Sequence, residues 1–262
     1  MFSLDLEQLD AALSEPKPAA HLAGLLQVLA AHPGPYDWAR TRKVPWQSLV
    51  IRTRVCNRIH PSTRARLQAG DPDDVRSIHS DFSFAALQED NSDLVLHLIR
   101  LREQALGLPS DFRRGGCHAE AGFTRKVAIF PAPQAIPRSL AVLHDFRAAQ
   151  PLSHPIWNAL LLYLMLLRTH PWSDGNGRTM RLLLAHELWR NDLIHDSVLP
   201  LKRVLDANRA NEVKLFTEVS RRQRDPVHAA RAFADALTLL ARIVGLAALH
   251  GSSANHSARV PR

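Results

Sequence analysis

Between His170 and Arg181 the chain reads His-Pro-Trp-Ser-Asp-Gly-Asn-Gly-Arg-Thr-Met-Arg. His170 is the one group in this stretch able to accept a proton near neutral pH. Asp174 offers the hard carboxylate oxygens that Mg2+ seeks alongside phosphate oxygens. Gly175 and Gly177 let the backbone take positive φ and approach a ligand closely. A glycine-rich turn that feeds a helix start is also an anion site, because free N–H groups and the helix dipole converge there. Arg178 and Arg181 are three residues apart, share one helix face and can grip one polyphosphate together. A base, a metal carboxylate, an anion cradle and two arginines in one short stretch point to phosphoryl or nucleotidyl transfer.

The elements that must position this turn are written on either side of it. Residues 156–169 and 182–189 are strongly apolar, without Gly or Pro, and read as buried helices. The twelve residues resemble the Fic (Fic/Doc) signature His-x-Phe-x-Asp/Glu-Gly-Asn-Gly-Arg-x-x-Arg. His170, Asp174, Gly175, Asn176, Gly177, Arg178 and Arg181 fill its specified positions, and Trp172 stands where Phe is usual. The resemblance extends upstream through Gly122–Arg125 to Pro137 and downstream to about Leu240, with no comparable match over 1–110. It implies an all-α fold: a Fic-type helical core with a short β-hairpin flap and an N-terminal helical accessory region. The expected division is an accessory region over 1–110, a Fic domain over 111–250 with its flap at 122–137 and motif at 170–181, and a disordered tail over 251–262.

The function implied by the resemblance is transfer of AMP from ATP to a Ser, Thr or Tyr hydroxyl of a target protein. His170 would be the base and Asp174 the Mg2+ carboxylate. Gly175, Asn176, Gly177, Arg178 and Arg181 would bind the phosphates. Asn208 falls where the family often carries an Asn-Arg near the adenine pocket, but Glu212-Val213 occupy the place of its tyrosine pair, which leaves the base open. The flap resemblance makes Arg125, Val127 and Ile129 a docking edge for an extended target segment, since an exposed strand can recruit a peptide by backbone pairing. The alternatives are UMP transfer or phosphotransfer on the same fold, and a catalytically silent scaffold, which the complete motif disfavours.

Net charge is +8 and the isoelectric point about 10.3. A nucleic-acid partner is not expected from this, because the arginines are scattered and aromatic residues make up only 6%, leaving few stacking platforms. Cys56 and Cys117 supply neither a disulfide framework nor a four-ligand zinc site, and the adjacent Cys117-His118 has no second pair. The acidic start Met1–Glu7 does not read as a signal peptide. No apolar run approaches the roughly 20 residues of a membrane span, since Asp235 and Arg242 interrupt 233–249. These features lead to the expectation of a cytoplasmic protein, and the family resemblance implies a bacterial one, secretion into a host cell being compatible.

Helices are expected over 3–14 with Ser3 as N-cap, 21–31, 46–57, 83–106, 137–149, 154–169, 177–191, 199–221 and from Pro226 to about 249. Pro16 and Pro18 are expected to end the first. Residues 107–122 read as loop and 123–130 as the best strand. His144 and His154 read as surface or capping residues. His186-Glu187 lacks a His-Glu-x-x-His spacing and reads as ordinary helix.

Many Fic proteins are restrained by a glutamate in a Ser/Thr-x-x-x-Glu-Gly/Asn helix that pairs with the second motif arginine, here Arg181. No glutamate follows Glu218. Glu89 is the nearest upstream candidate, with Ala85 and Asp90 at the flanking positions of the pattern, and it reads better as a solvent-facing residue. Restraint, if any, falls to a separate antitoxin-like protein.

Overall fold

The helix before the motif is α5, Pro155–Thr169. Pro155 needs no N–H partner at a first helical position, and His154 caps the start by accepting from the Ile156 N–H through Nδ1 at 3.2 Å. Ile156 to Leu164 are all buried, so α5 is the central rod of the core rather than an amphipathic surface helix. Its one interior amide, Asn158, is satisfied by the backbone of Leu152 at 3.1 and 3.0 Å. The helix after the motif, α6, is Asn176–Arg190 and lies against α5. The two form a helix–turn–helix whose joint is the motif.

The computed structural model describes residues 4–36, 43–51, 83–87, 93–121, 126–195, 198–208 and 225–252. Around the central pair lie α1 (Leu6–Leu13), α2 (Pro16–Ala31), α3 (Leu94–Arg100), α4 (Ile136–Ala149), α7 (Leu201–Ala207) and α8 (Pro226–Gly251). α3 continues as a π-helical turn over Leu101–Ala105. α4 packs on α3 and α5, while α8 packs on α1, α2, α5 and α7. The fold is mostly helical, as expected. In backbone terms β1 (His118–Ala121) runs antiparallel to β2 (Lys126–Ile129), with His118 opposite Ile129.

Several expected boundaries move for local reasons. The cap of α1 is Asp5, whose carboxylate accepts from the Glu7 and Gln8 N–H groups at 3.1 Å; Ser3 lies outside the described residues. Pro16 starts α2 rather than ending α1, because proline suits a first turn and breaks only an interior. Trp46 opens a single 3-10 turn to Leu49, and Val50 is extended. Ser83 caps only the short turn Phe84–Ala86, and Asp93 caps α3. Residues 209–224, including Asn211 to Val213, and the segment carrying Glu89 and Asp90 lie outside the described residues.

α8 also reaches further than expected. It runs to Gly251, and buried Ser252 bridges to Tyr36, so the tail does not begin at 251. A Cβ on Gly251 would meet Pro200 Cγ at 2.5 Å, which explains why glycine ends this helix. By length and apolarity α8 could cross a membrane, contrary to the expectation from its charges. It is instead a core helix, with 72% of its apolar window buried inside the protein.

Candidate active site

The motif turn is shaped by residues that satisfy its backbone. His170 ends α5 in the left-handed conformation (φ 48°, ψ 59°), its N–H donating to Leu166 O at 3.0 Å. Asn176 reaches back across the turn: its Oδ1 accepts from the Trp172 N–H at 3.1 Å and its Nδ2 donates to Trp172 O at 2.7 Å. The side chain expected among the phosphate ligands is therefore a buried brace, and the backbone N–H is what Asn176 offers at the start of α6. Gly175 is the N-cap in a left-handed conformation (φ 75°), and no side chain caps the helix start. The first N–H groups of α6 thus have no side-chain cap.

Around this start stand the charged residues. Asp174 is 80% exposed and pairs with Arg178 at 2.9 Å. So exposed a pair is easily opened, typically contributing under about 1 kcal/mol. The largely buried Arg181 guanidinium lies along the turn, since a Cβ on Gly177 would come within 3.1 Å of its Nη1. A single exposed carboxylate beside an anion cradle suits Mg2+, which keeps several waters and is shared with substrate phosphates rather than caged by protein.

His170 has a packing partner that its motif position does not reveal. Its ring stacks on Phe130, with centroids 4.0 Å apart and planes 18° apart. Burial, followed by the nearby Arg113 charge, lowers its pKa below the ordinary histidine value against an opposing backbone hydrogen bond at Leu167. The imidazole is thus held in its basic, neutral form at physiological pH.

Two arginines that sequence reasoning missed hold the turn from behind. Arg113 donates through Nε to His170 O at 2.7 Å, through Nη1 to Gly115 O at 2.9 Å, and through Nη2 to Pro131 O. Its own N–H reaches Pro171 O. It therefore fixes the main chain of the proposed base and ties it to the segment carrying Phe130. Arg102, 2% exposed, reaches the other end of the turn. A signal for Arg102 was present: it falls four residues after Leu98, on the helix face that buries Leu94, Leu98, Leu101 and Ala105. Arg113 gives no such signal, since irregular chain surrounds it and Arg114 is its neighbour. A cavity of about 560 Å³ opens between these residues and the turn, with Leu108, Phe112, Ser173 and Asp174 in its wall.

Other expected positions fall elsewhere. Asn208 is 1% exposed and its amide bonds Ile51 N, Leu49 O and Val204 O, each at 2.8 Å. It fastens the 49–51 segment to α7 and has no donor left for a nucleotide base. Val127 and Ile129 lie in β2; Arg125 lies outside the described residues. His144 and His154 accept backbone N–H groups through Nδ1, in keeping with a capping role.

His186 and Glu187 are not ordinary helix residues. Glu187 Oε1 accepts from Arg147 Nε at 2.8 Å and faces its Nη2 at 2.7 Å, inside the core. The His186 ring lies 4.2 Å from that of His97. Among the described residues His97, His186 and Glu187 have the spacing of metal ligands, but a divalent ion there would face Arg147 and also Arg190, 3.7 Å from Glu187 Oε2. The group is better balanced as a buried Arg147–Glu187 ion pair with the His97 and His186 rings packed beside it. Burial, then the charges of His186 and Arg147, depresses the His97 pKa to about 3. Burial alone would raise Glu187, and His186, 3.6 Å away, together with the bonded Arg147 outweighs this and holds it below the usual carboxylate range.

Both depressed groups bind fewer protons in the folded state, so stability falls as pH falls. The loss begins below about 6.5 for His97 and below about 4.5 for Glu187. Urea unfolding at pH 7 and pH 5 should show a drop for the wild type that is smaller in His97→Phe by about 1.4 kcal/mol per pH unit of the window. Equal pH dependence in the two proteins would contradict a neutral buried His97.

Residues 71–188 match the family model described as Fic/DOC family. The match takes in residues 71–110, which the motif-based division assigned to the accessory region. A protein adenylyltransferase Fic of Nematostella vectensis is 30% identical over 115 residues, covering 40% of this chain and 25% of that protein. The chain thus spans about a quarter of the length of that curated relative. A crystal structure of a Fic family protein from Desulfovibrio desulfuricans has a TM-score of 0.51 at 18% identity, covering 87% of this chain and 73% of that one; it shows a shared fold. A Fic domain containing signaling protein from Bacteroides thetaiotaomicron has a TM-score of 0.45 at 20% identity, over 63% of this chain and 66% of that one. With the signature residues spaced as that family requires, on a turn between two core helices, residues 71–188 are similar to the Fic/DOC family, and the helical fold is shared with a solved Fic family protein.

Proposed function

We propose that the chain is a Fic-type nucleotidyltransferase that moves AMP from ATP to a Ser, Thr or Tyr hydroxyl of a target protein. The observation that carries this reading is the joint between α5 and α6. It sets a neutral imidazole, an exposed carboxylate, an uncapped helix start and two arginines on one short turn. The relative named as a protein adenylyltransferase supports the same class.

In the proposed reaction the target oxygen bonds to the α-phosphorus as the bond from that phosphorus to the β-bridging oxygen breaks, and pyrophosphate leaves. His170 takes the proton of the attacking hydroxyl, with its main chain held by Arg113. The N–H groups of Asn176 and Gly177 and the dipole of α6 receive the developing negative charge. Arg178, released from Asp174, and Arg181 hold the β- and γ-phosphates. Asp174 would hold Mg2+, which when bound neutralises phosphate charge and favours departure of pyrophosphate. Target docking is proposed along β2, with Arg125, Val127 and Ile129. The engagement of Asn208 removes the one base-side residue the sequence offered, so UTP is the donor to compare with ATP.

Arg181→Ala should weaken binding of a triphosphate by about 1.5–3 kcal/mol, the contribution of a hydrogen bond to a charged group. AMP binding should change little. Equal weakening for ATP and AMP in calorimetry would place Arg181 away from the terminal phosphates.

A further inference from the structure

Arg102 is a cation buried in the π-helical turn Leu101–Ala105, far from the motif in sequence. Its fork is filled from three directions. Nε and Nη2 donate to Pro109 O at 3.0 and 2.8 Å. Nη1 donates to Asp174 O and to Thr179 Oγ1, both at 3.1 Å. The guanidinium carbon lies 4.2 Å from the centroid of Trp172, whose Nε1 donates to Ser110 O at 2.9 Å. Thr179 Oγ1 in turn donates to Gly175 O at 3.0 Å. One side chain thus joins the 108–110 segment, the main chain of the turn and the first turn of α6.

We infer that Arg102, seated on Trp172, is a positioning residue that sets the main chain of Asp174 and so the direction of its carboxylate. This rests on the proposal that Asp174 holds the cation of a metal–triphosphate. The peptide oxygen of Asp174 is held by Arg102 on the inside of the turn, while the carboxylate stays exposed on the outside. A tilt of that peptide moves the carboxylate relative to the helix start without touching His170, which Arg113 holds separately. Lysine cannot replace this arrangement. Its ammonium has three donors and no plane, whereas the site uses a planar fork on an aromatic face. The buried guanidinium, always protonated in proteins, adds a fixed positive field beneath the cradle.

The test is calorimetric titration of the full chain with α,β-methylene ATP over a series of Mg2+ concentrations, and with AMP without Mg2+. Arg102→Lys should lower Mg2+-supported affinity by about tenfold or more, the usual effect of losing a group that orients a metal ligand. Affinity for AMP should stay within about twofold. Should Arg102→Lys fail to fold, Thr179→Val carries the test, since it removes one acceptor of Arg102 at constant shape, and the same selective loss is expected at smaller size. A wild type that binds and variants that bind equally at every Mg2+ level overturn the inference alone. Loss of AMP and triphosphate affinity to the same extent also overturns it, as that marks a general structural role. A wild type that binds no Mg2+–triphosphate overturns the functional reading and the inference together.

Discussion

His170→Asn should lower transfer by about 10²-fold or more, the contribution expected of a positioned base, while nucleotide affinity and folding change little. Asparagine suits this position because His170 sits at φ 48°, a region asparagine tolerates better than most residues. Alanine would add the cost of left-handed backbone, roughly 1–2 kcal/mol, to the loss of the base. Both variants lose the stacking on Phe130, so thermal unfolding should show a small drop in each, larger for alanine. Because burial lowers the His170 pKa, the acid limb of wild-type kcat/KM should lie below the ordinary value of about 6.5. Retention of more than about a tenth of activity by His170→Asn would mean that another group takes the proton.

Gly175→Ala should be the most damaging single change in the turn. The residue holds φ 75°, where a side chain is strained, and its added methyl would meet Leu108 Cδ1 at 2.5 Å and Arg102 Nη1 at 3.0 Å. Left-handed strain alone amounts to roughly 1–3 kcal/mol, and here relief requires moving the buried Arg102 fork. Gly177→Ala is the internal comparison. Its methyl would meet only Arg181 Nη1 at 3.1 Å, the far end of a flexible side chain, so folding should be nearly preserved and triphosphate binding weakened. Thermal unfolding and nucleotide titration of the two variants separate these effects. If Gly175→Ala proves as stable as Gly177→Ala, the rigid seat assigned to Arg102 and Leu108 is wrong.

The site was legible where chemistry is local and opaque where it is not. That His170, Asp174, Gly175 and Arg181 share one turn was legible because a short polar stretch between two apolar runs leaves few geometries. Asn176 was assigned to the phosphates by type, yet the same amide is the right length to close a four-residue turn on Trp172, and it does so. The amide partners of Asn208 were illegible for a similar reason: Leu49 and Ile51 are more than 150 residues away in sequence, and spacing carries no trace of such a contact. The helices were legible from apolar periodicity, but Pro16 could end one or start the next, and only the tertiary position of α2 against α8 decides. His186 and Glu187 looked ordinary because their meaning depends on Arg147 and His97, carried by two other helices. Arg102 was readable as an anomaly on a buried face, though not as a clamp on Asp174.

The most direct test of the central claim follows the label. The protein is incubated with Mg2+ and a cell lysate, with ATP labelled at the α-phosphate in one arm and at the γ-phosphate in another, α-labelled UTP in a third, and His170→Asn beside each. The predicted result is covalent label on protein from α-labelled ATP, none from γ-labelled ATP, and none with His170→Asn. Label from the γ-phosphate would show phosphotransfer, and label from UTP alone would show a different donor. Either result, or no His170-dependent label in any arm, would contradict AMP transfer by this turn.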